Sequence, residues 1–163
     1  MLVVADTSPL IALVNIGHTE VLATLFREIV VPPAVVAEIS SPARSAVVRQ
    51  FADAIPPWLR TQTPATLLAL PRLHPGEVQA LSLALEASAD LLLIDERRAY
   101  REAQARGMAV VGTVGVLERA ASQGLLDLHS AFESLKHSDF WISHRLLDRR
   151  LQLFRQGNGP SRR

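Results

Sequence analysis

The chain has 163 residues, 48% of them hydrophobic, with no cysteine and a formal net charge of +1. A chain of this length can bury roughly 70% of its unfolded surface in one core, and the missing thiols exclude a disulfide framework, a zinc ribbon and a cysteine nucleophile. No run of about 18 uncharged apolar residues is present, which argues against a membrane span. Residues 2–16 are apolar but lack a basic start and carry Asp6 in mid-run, so they do not read as a secretory leader, and a cytoplasmic location is expected.

In chain order, short β-branched and leucine runs alternate with longer helical patterns. Strands are predicted at 2–5, 28–31, about 58–61, 91–94 and 109–111. Helices are predicted at 9–16, 19–26, 33–40, 43–53, 75–88, about 97–106, 114–123, 127–136 and 142–155. This alternation defines an α/β fold, a three-layer sandwich with a mainly parallel central sheet flanked by helices. The runs "LVVA", "LLLI" and "AVV" are apolar throughout, as strands covered on both faces are. Pro9, Pro33 and Pro75 fall where a first helical residue belongs, and Ser8 is the expected cap of the first helix. There is no internal repeat. The stretch from Ile55 to Pro71 is the loosest internal region, one domain is expected over 1–156, and 157–163 reads as a disordered tail.

Charge is unevenly placed. Residues 1–143 carry 11 basic and 15 acidic groups, whereas 144–163 carry six arginines against Asp148. A basic end can attract a polyanion or an acidic partner, although a surface helix explains it as well. Leu147, Leu151 and Phe154 recur at helical spacing there, a stripe that would pack on its own domain or dock a dimer mate or peptide.

Ligands of an open parallel sheet bind beyond the carboxyl ends of its strands, and here those positions are acidic. The first strand runs into Asp6 and the "LLLI" strand into Asp95. Glu38 lies on the helix after the second strand, and Glu77 on the first turn of the helix that begins at Pro75. Each has an ordinary explanation: Asp95 would cap the next helix, Glu77 would complement a helix dipole, and Glu38 would be a solvated surface group. Asp6 has none of this kind if Ser8 is the cap. Carboxylates that share one sheet edge repel unless a cation intervenes, and oxygen-only ligands suit Mg²⁺ or Mn²⁺. Such an ion can activate water and neutralise a phosphodiester, so the reaction class is phosphodiester hydrolysis.

The segments "VVADTSPLIAL", "VVPPAVVAEI", "LHPGEVQALSLAL" and "ADLLLIDERRAYREA" together resemble the PIN-domain family of metal-dependent ribonucleases. The resemblance covers roughly residues 1–125 and is closest to a prokaryotic branch near the toxin subunits of toxin–antitoxin pairs. It implies that Asp6, Glu38, Glu77 and Asp95 hold Mg²⁺ or Mn²⁺ and activate water to cut RNA. Many members carry aspartate where this chain has Glu77, one methylene longer. It further implies an RNA substrate, an antitoxin partner and a homodimer. Thr7 and Ser8 would support the first ligand. Thr113, in "VVGTVGVL", would present backbone N–H groups to an anion. Of Arg97, Arg98 and Arg101, one would contact RNA phosphate while another pairs with Glu96 or Glu102.

Other chemistries find little support. There is no G-x-x-x-x-G-K-[ST] loop, no G-x-S-x-G elbow, and the five histidines show neither H-x-H nor H-E-x-x-H spacing. The remaining alternative is a catalytically inactive PIN-like module that binds RNA or protein, since fold alone does not fix activity.

Overall fold

The structure, a computed structural model, describes residues 1–157. They fall into two compact units, Met1–Thr113 and the residues from Val114 onward. In the first unit the elements are β1 (Val3–Ala5), α1 (Thr7–Asn15), α2 (Glu20–Phe26), β2 (Ile29–Val31), α3 (Pro33–Ile39), α4 (Ala46–Asp53), β3 (Leu59–Thr61), α5 (Pro75–Glu86), β4 (Leu91–Leu93), α6 (Arg97–Ala105) and β5 (Val110–Val111). Every predicted strand is present. The architecture is the expected α/β three-layer one, a parallel sheet flanked by helices.

The strand order is β3-β2-β1-β4-β5, and all pairings are parallel. Val3 lies opposite Ile29 on one side and Leu91 on the other. The chain therefore winds outward in one direction from β1 to β3 and in the other from β4 to β5. The reversal falls between β1 and β4, the crevice where open α/β sheets bind ligands. Asp6 and Asp95 follow these two strands. The Asp6 backbone N–H still donates to Leu93 O at 2.9 Å, which carries the ladder one residue beyond β1.

Burial explains why the central strands lack polar alternation. α5 lays Ala80, Leu81, Leu83 and Ala84 against Val4, Leu92 and Ile94, all excluded from water. Each fully buried leucine of this kind contributes about 1.5–3 kcal/mol. A second cluster joins α1, α3 and α4 through Val14, Ile39 and Val48. The irregular stretch before α5 is tied to that helix: Leu68 N–H donates to Ser82 Oγ at 2.9 Å, and Ala65 N–H to Glu86 Oε2 at 2.8 Å.

α1 begins two residues earlier than expected. Pro9 is its third residue, not its first, which is tolerated because N–H groups of the first turn have no intrahelical acceptor anyway. Ser8 accordingly does not cap the helix. Asp6 occupies the cap position, yet its side chain makes no capping hydrogen bond.

Between α2 and β2 the backbone makes a tight reversal at Arg27, with φ 62° and ψ −50°. Glu28 N–H donates to Phe26 O across it at 2.7 Å, so Arg27 is the centre of a strained γ-turn. Its side chain is exposed. Arg27→Gly should therefore stabilise the protein by about 1 kcal/mol, strain relief exceeding the added entropy of the unfolded chain. Thermal melts should rise by roughly 2–4 °C, and a fall would show that the turn is unstrained.

The second unit contains the rest of α7 (Thr113–Ser122), α8 (Leu128–Lys136) and α9 (His144–Gly157). Asp127 caps α8 by accepting Ser130 N–H at 2.8 Å. Lys136 Nζ donates to Glu133 Oε1 at 2.8 Å and to Asp148 Oδ1 at 2.6 Å, which links α8 to α9. Leu147 and Leu151 of the expected apolar stripe are buried, with Phe154 half-buried. α9 extends to Gly157, and the remainder of the expected disordered tail lies outside the described residues.

Candidate active site

Asp6 is the most unusual side chain of the first unit. It is only 4% exposed, and its Oδ1 has no hydrogen-bond partner. An unpaired buried carboxylate oxygen is costly. Burial pushes the Asp6 carboxyl up to about 7; the charges of Glu77, Glu38 and Asp95 push the same way, and a hydrogen bond from the Thr7 backbone opposes them. Burial is thus the largest cause, with the charges of the other three candidate acids adding to it at Asp6.

Glu38 is not the solvated surface group that its sequence context suggested. Its Oε1 accepts the Gly76 backbone N–H at 3.1 Å, and its Oε2 accepts the hydroxyl of Thr7. Gly76 is the second residue of α5, so Glu38 satisfies one of that helix's orphan N–H groups from another helix. Asp95 does the same for α7. Its Oδ1 accepts Thr113 N–H at 2.7 Å, while Oδ2 accepts the Thr113 hydroxyl at 2.7 Å and the Ser8 hydroxyl at 3.1 Å. The capping of α6 falls instead to Glu96, which accepts Ala99 N–H at 2.8 Å. Burial raises the Asp95 pKa, and the hydrogen bonds from Thr113 and Ser8 pull against it.

The hydroxyls therefore have clear places. Thr7 and Ser8 are the two residues that follow Asp6, and each touches a different acid. Thr113 is fully buried; the anion its N–H meets is the protein's own Asp95 carboxylate. Glu77 behaves largely as the ordinary explanation had it, accepting His74 N–H at 2.9 Å at the start of its own helix. It is 8% exposed, and burial raises its pKa. Arg97, Arg98 and Arg101 are exposed and form no ion pair among the described residues. The expected pairing with Glu96 or Glu102 is absent: Glu102 pairs with Arg106 one turn along α6, and the Glu96 side chain is the cap.

Among the described residues no three acidic or histidine side chains stand, as they are, in an arrangement that would enclose an ion. The hydroxyls of Thr7, Ser8 and Thr113 occupy one carboxylate oxygen each of Glu38 and Asp95. The donor set nevertheless fits a hard divalent ion. It is all oxygen, it contains a buried oxygen with no partner, and its acids resist ionising together without a cation. Gly76 and Gly112, against which Glu38 and Asp95 rest, were not among the residues expected at the site. Their only signal was a glycine directly before an expected site residue, in "PGEV" and "VGTV".

A sequence-family model of the PIN domain matches residues 2–156, so the chain belongs to the PIN-domain family, a family of nuclease fold that acts on nucleic acids. Among solved structures it is similar to a PilT N-terminus domain protein from the hyperthermophilic archaeon Sulfolobus solfataricus P2. The two share 14% identity over 87% of this chain and 100% of that one, with a TM-score of 0.51. At that identity the likeness speaks to fold alone. No curated protein matches the sequence at a significant level. Among the described residues no helix is long and apolar enough to cross a membrane.

Proposed function

We propose that this chain is a divalent-metal-dependent endoribonuclease that hydrolyses RNA phosphodiester bonds. The observation that carries the reading is the buried, unpartnered Asp6 Oδ1 at the sheet's switch point, under the charges of Glu38, Glu77 and Asp95. Asp6, Asp95 and Glu38 would hold Mg²⁺ or Mn²⁺, with Glu77 one step removed because it is engaged at its own helix start. Such an ion, when bound, lowers the pKa of water and neutralises charge on a phosphodiester.

The chain's own residues supply position. The backbone N–H groups of Gly76 and Thr113 hold Glu38 and Asp95 in place, and the Thr7 and Ser8 hydroxyls are free to turn toward water or phosphate once their carboxylates are engaged elsewhere. Arg98, with Arg97 and Arg101, follows Asp95 on α6 and would take the negatively charged backbone of the substrate. Purified protein should cut single-stranded RNA with Mn²⁺ or Mg²⁺, stop when a chelator is added, and lose activity in Asp95→Asn. Cleavage that survives both the chelator and that substitution would remove the reading.

Resemblance to the toxin branch supports a narrower role, as the toxin of a cytoplasmic toxin–antitoxin pair, acting as a homodimer restrained by an antitoxin protein. A short neighbouring reading frame whose product suppresses growth arrest caused by this chain would be the expected finding. A second reading, an inactive PIN-like binding module, is favoured by one observation: Glu38, Glu77 and Asp95 accept hydrogen bonds from the protein, and among the described residues the acids do not already enclose an ion.

A further inference from the structure

We infer that Gly76 and Gly112 are positioning residues for this centre: by lacking a Cβ they let the Glu38 and Asp95 carboxylates dock on the backbone at the starts of α5 and α7. The inference rests on the metal-site reading above.

The two glycines differ in kind from others in the chain. Gly17, Gly107 and Gly124 have φ between 73° and 75°, and a Cβ on any of them would meet nothing within 4 Å. They are glycines for backbone conformation. Gly76 and Gly112 have no such left-handed backbone, yet a Cβ would collide. At Gly76 it would stand 2.5 Å from Glu38 Oε1 and 2.9 Å from Oε2 and Cδ. At Gly112 it would stand 2.7 Å from Asp95 Oδ1, with the nearest backbone atom, Ile94 O, at an ordinary 3.6 Å. In both places what a methyl group displaces is a carboxylate, and the main chain is left alone.

Docking also divides the oxygens of each acid. One oxygen of each is held by a backbone N–H, from Gly76 for Glu38 and from Thr113 for Asp95. The other oxygen accepts the hydroxyl of one of the two residues that follow Asp6, Thr7 for Glu38 and Ser8, beside the Thr113 hydroxyl, for Asp95. The backbone bond thus fixes which oxygen is presented to the Thr7–Ser8 segment. A methyl group at residue 76 or 112 would push the carboxylate off that bond and move its second oxygen from the Thr7–Ser8 segment. At residue 76 the better helix propensity of alanine is set against the lost Glu38 bond to a buried N–H, so Gly76→Ala should weaken the fold by no more than about 1–2 kcal/mol.

Three measurements on the full chain test this. Metal-free melts of Gly76→Ala and Gly112→Ala should remain cooperative, with midpoints no more than several degrees below wild type. Mn²⁺ titration followed by electron paramagnetic resonance should show affinity lowered by roughly 10- to 100-fold. A metal-free crystal structure of Gly76→Ala should show the Glu38 carboxylate off the residue-76 N–H. Unchanged Mn²⁺ affinity would overturn the inference, as would a carboxylate still docked. If wild type itself bound no Mn²⁺, the metal reading would fail separately, and the crystal structure alone would decide positioning: displaced supports it, docked overturns it.

Discussion

Asp6→Asn should reduce RNA cleavage by about a thousandfold while making the metal-free protein more stable at pH 8. The two effects have one cause. Asp6 is buried at the carboxyl end of β1 with an oxygen that nothing in the protein satisfies, and its carboxyl is raised from 3.8 to about 7. Holding it ionised in the metal-free fold therefore costs roughly 4 kcal/mol, since each pKa unit is about 1.4 kcal/mol. Asparagine keeps the shape, removes the charge and so removes most of that cost, but it cannot serve as an anionic ligand. A residue whose role is structural would behave oppositely, with both stability and activity falling. Cleavage rates measured beside metal-free melts separate the two, and a variant that is less stable and still active would show that Asp6 is an ordinary buried acid.

The pH dependence of stability should flatten when saturating metal is added. The folded pKa of Asp6 lies above its unfolded value, so the folded state binds the proton more tightly. The resulting stabilisation is complete below about pH 4 and is lost as pH rises through about 7. Burial shifts Glu77 and Asp95 in the same direction. Metal-free protein should accordingly melt several degrees higher at pH 5.5 than at pH 8. Mn²⁺ competes with those protons, so the stabilisation it confers should be largest at pH 8 and fade toward pH 5.5. In Asp6→Asn the slope of the metal-free curve should flatten. A wild-type metal-free melting temperature that climbs between pH 5.5 and 8 would contradict the electrostatic account of the site.

Much of this was legible in the sequence, and particular residues show why the rest was not. Apolar runs such as Val3–Ala5 and Leu91–Leu93 announce buried strands because no polar alternation is needed when both faces are covered. An acid placed directly after such a run is visible in one dimension, which is how Asp6 and Asp95 were found. The misjudged features are those decided by partners distant in sequence. Ser8 before Pro9 has every local mark of a cap, yet its hydroxyl goes to Asp95, 87 residues away. Glu38 looks like surface charge until the start of α5 is folded against it, 38 residues further on. Gly76 and Gly112 carry no pattern of their own, because what they contribute is an absent atom.

The central claim is that Asp6, Glu38 and Asp95 close around one kind of ligand, a divalent cation. Anomalous diffraction from crystals soaked in Mn²⁺ tests it most directly. The expected result is a manganese peak coordinated by Asp6 Oδ1 and by an Asp95 or Glu38 oxygen, with the Thr7 or Ser8 hydroxyl released from its carboxylate. A map with no peak at Asp6, or with manganese only at unrelated surface acids, would contradict it.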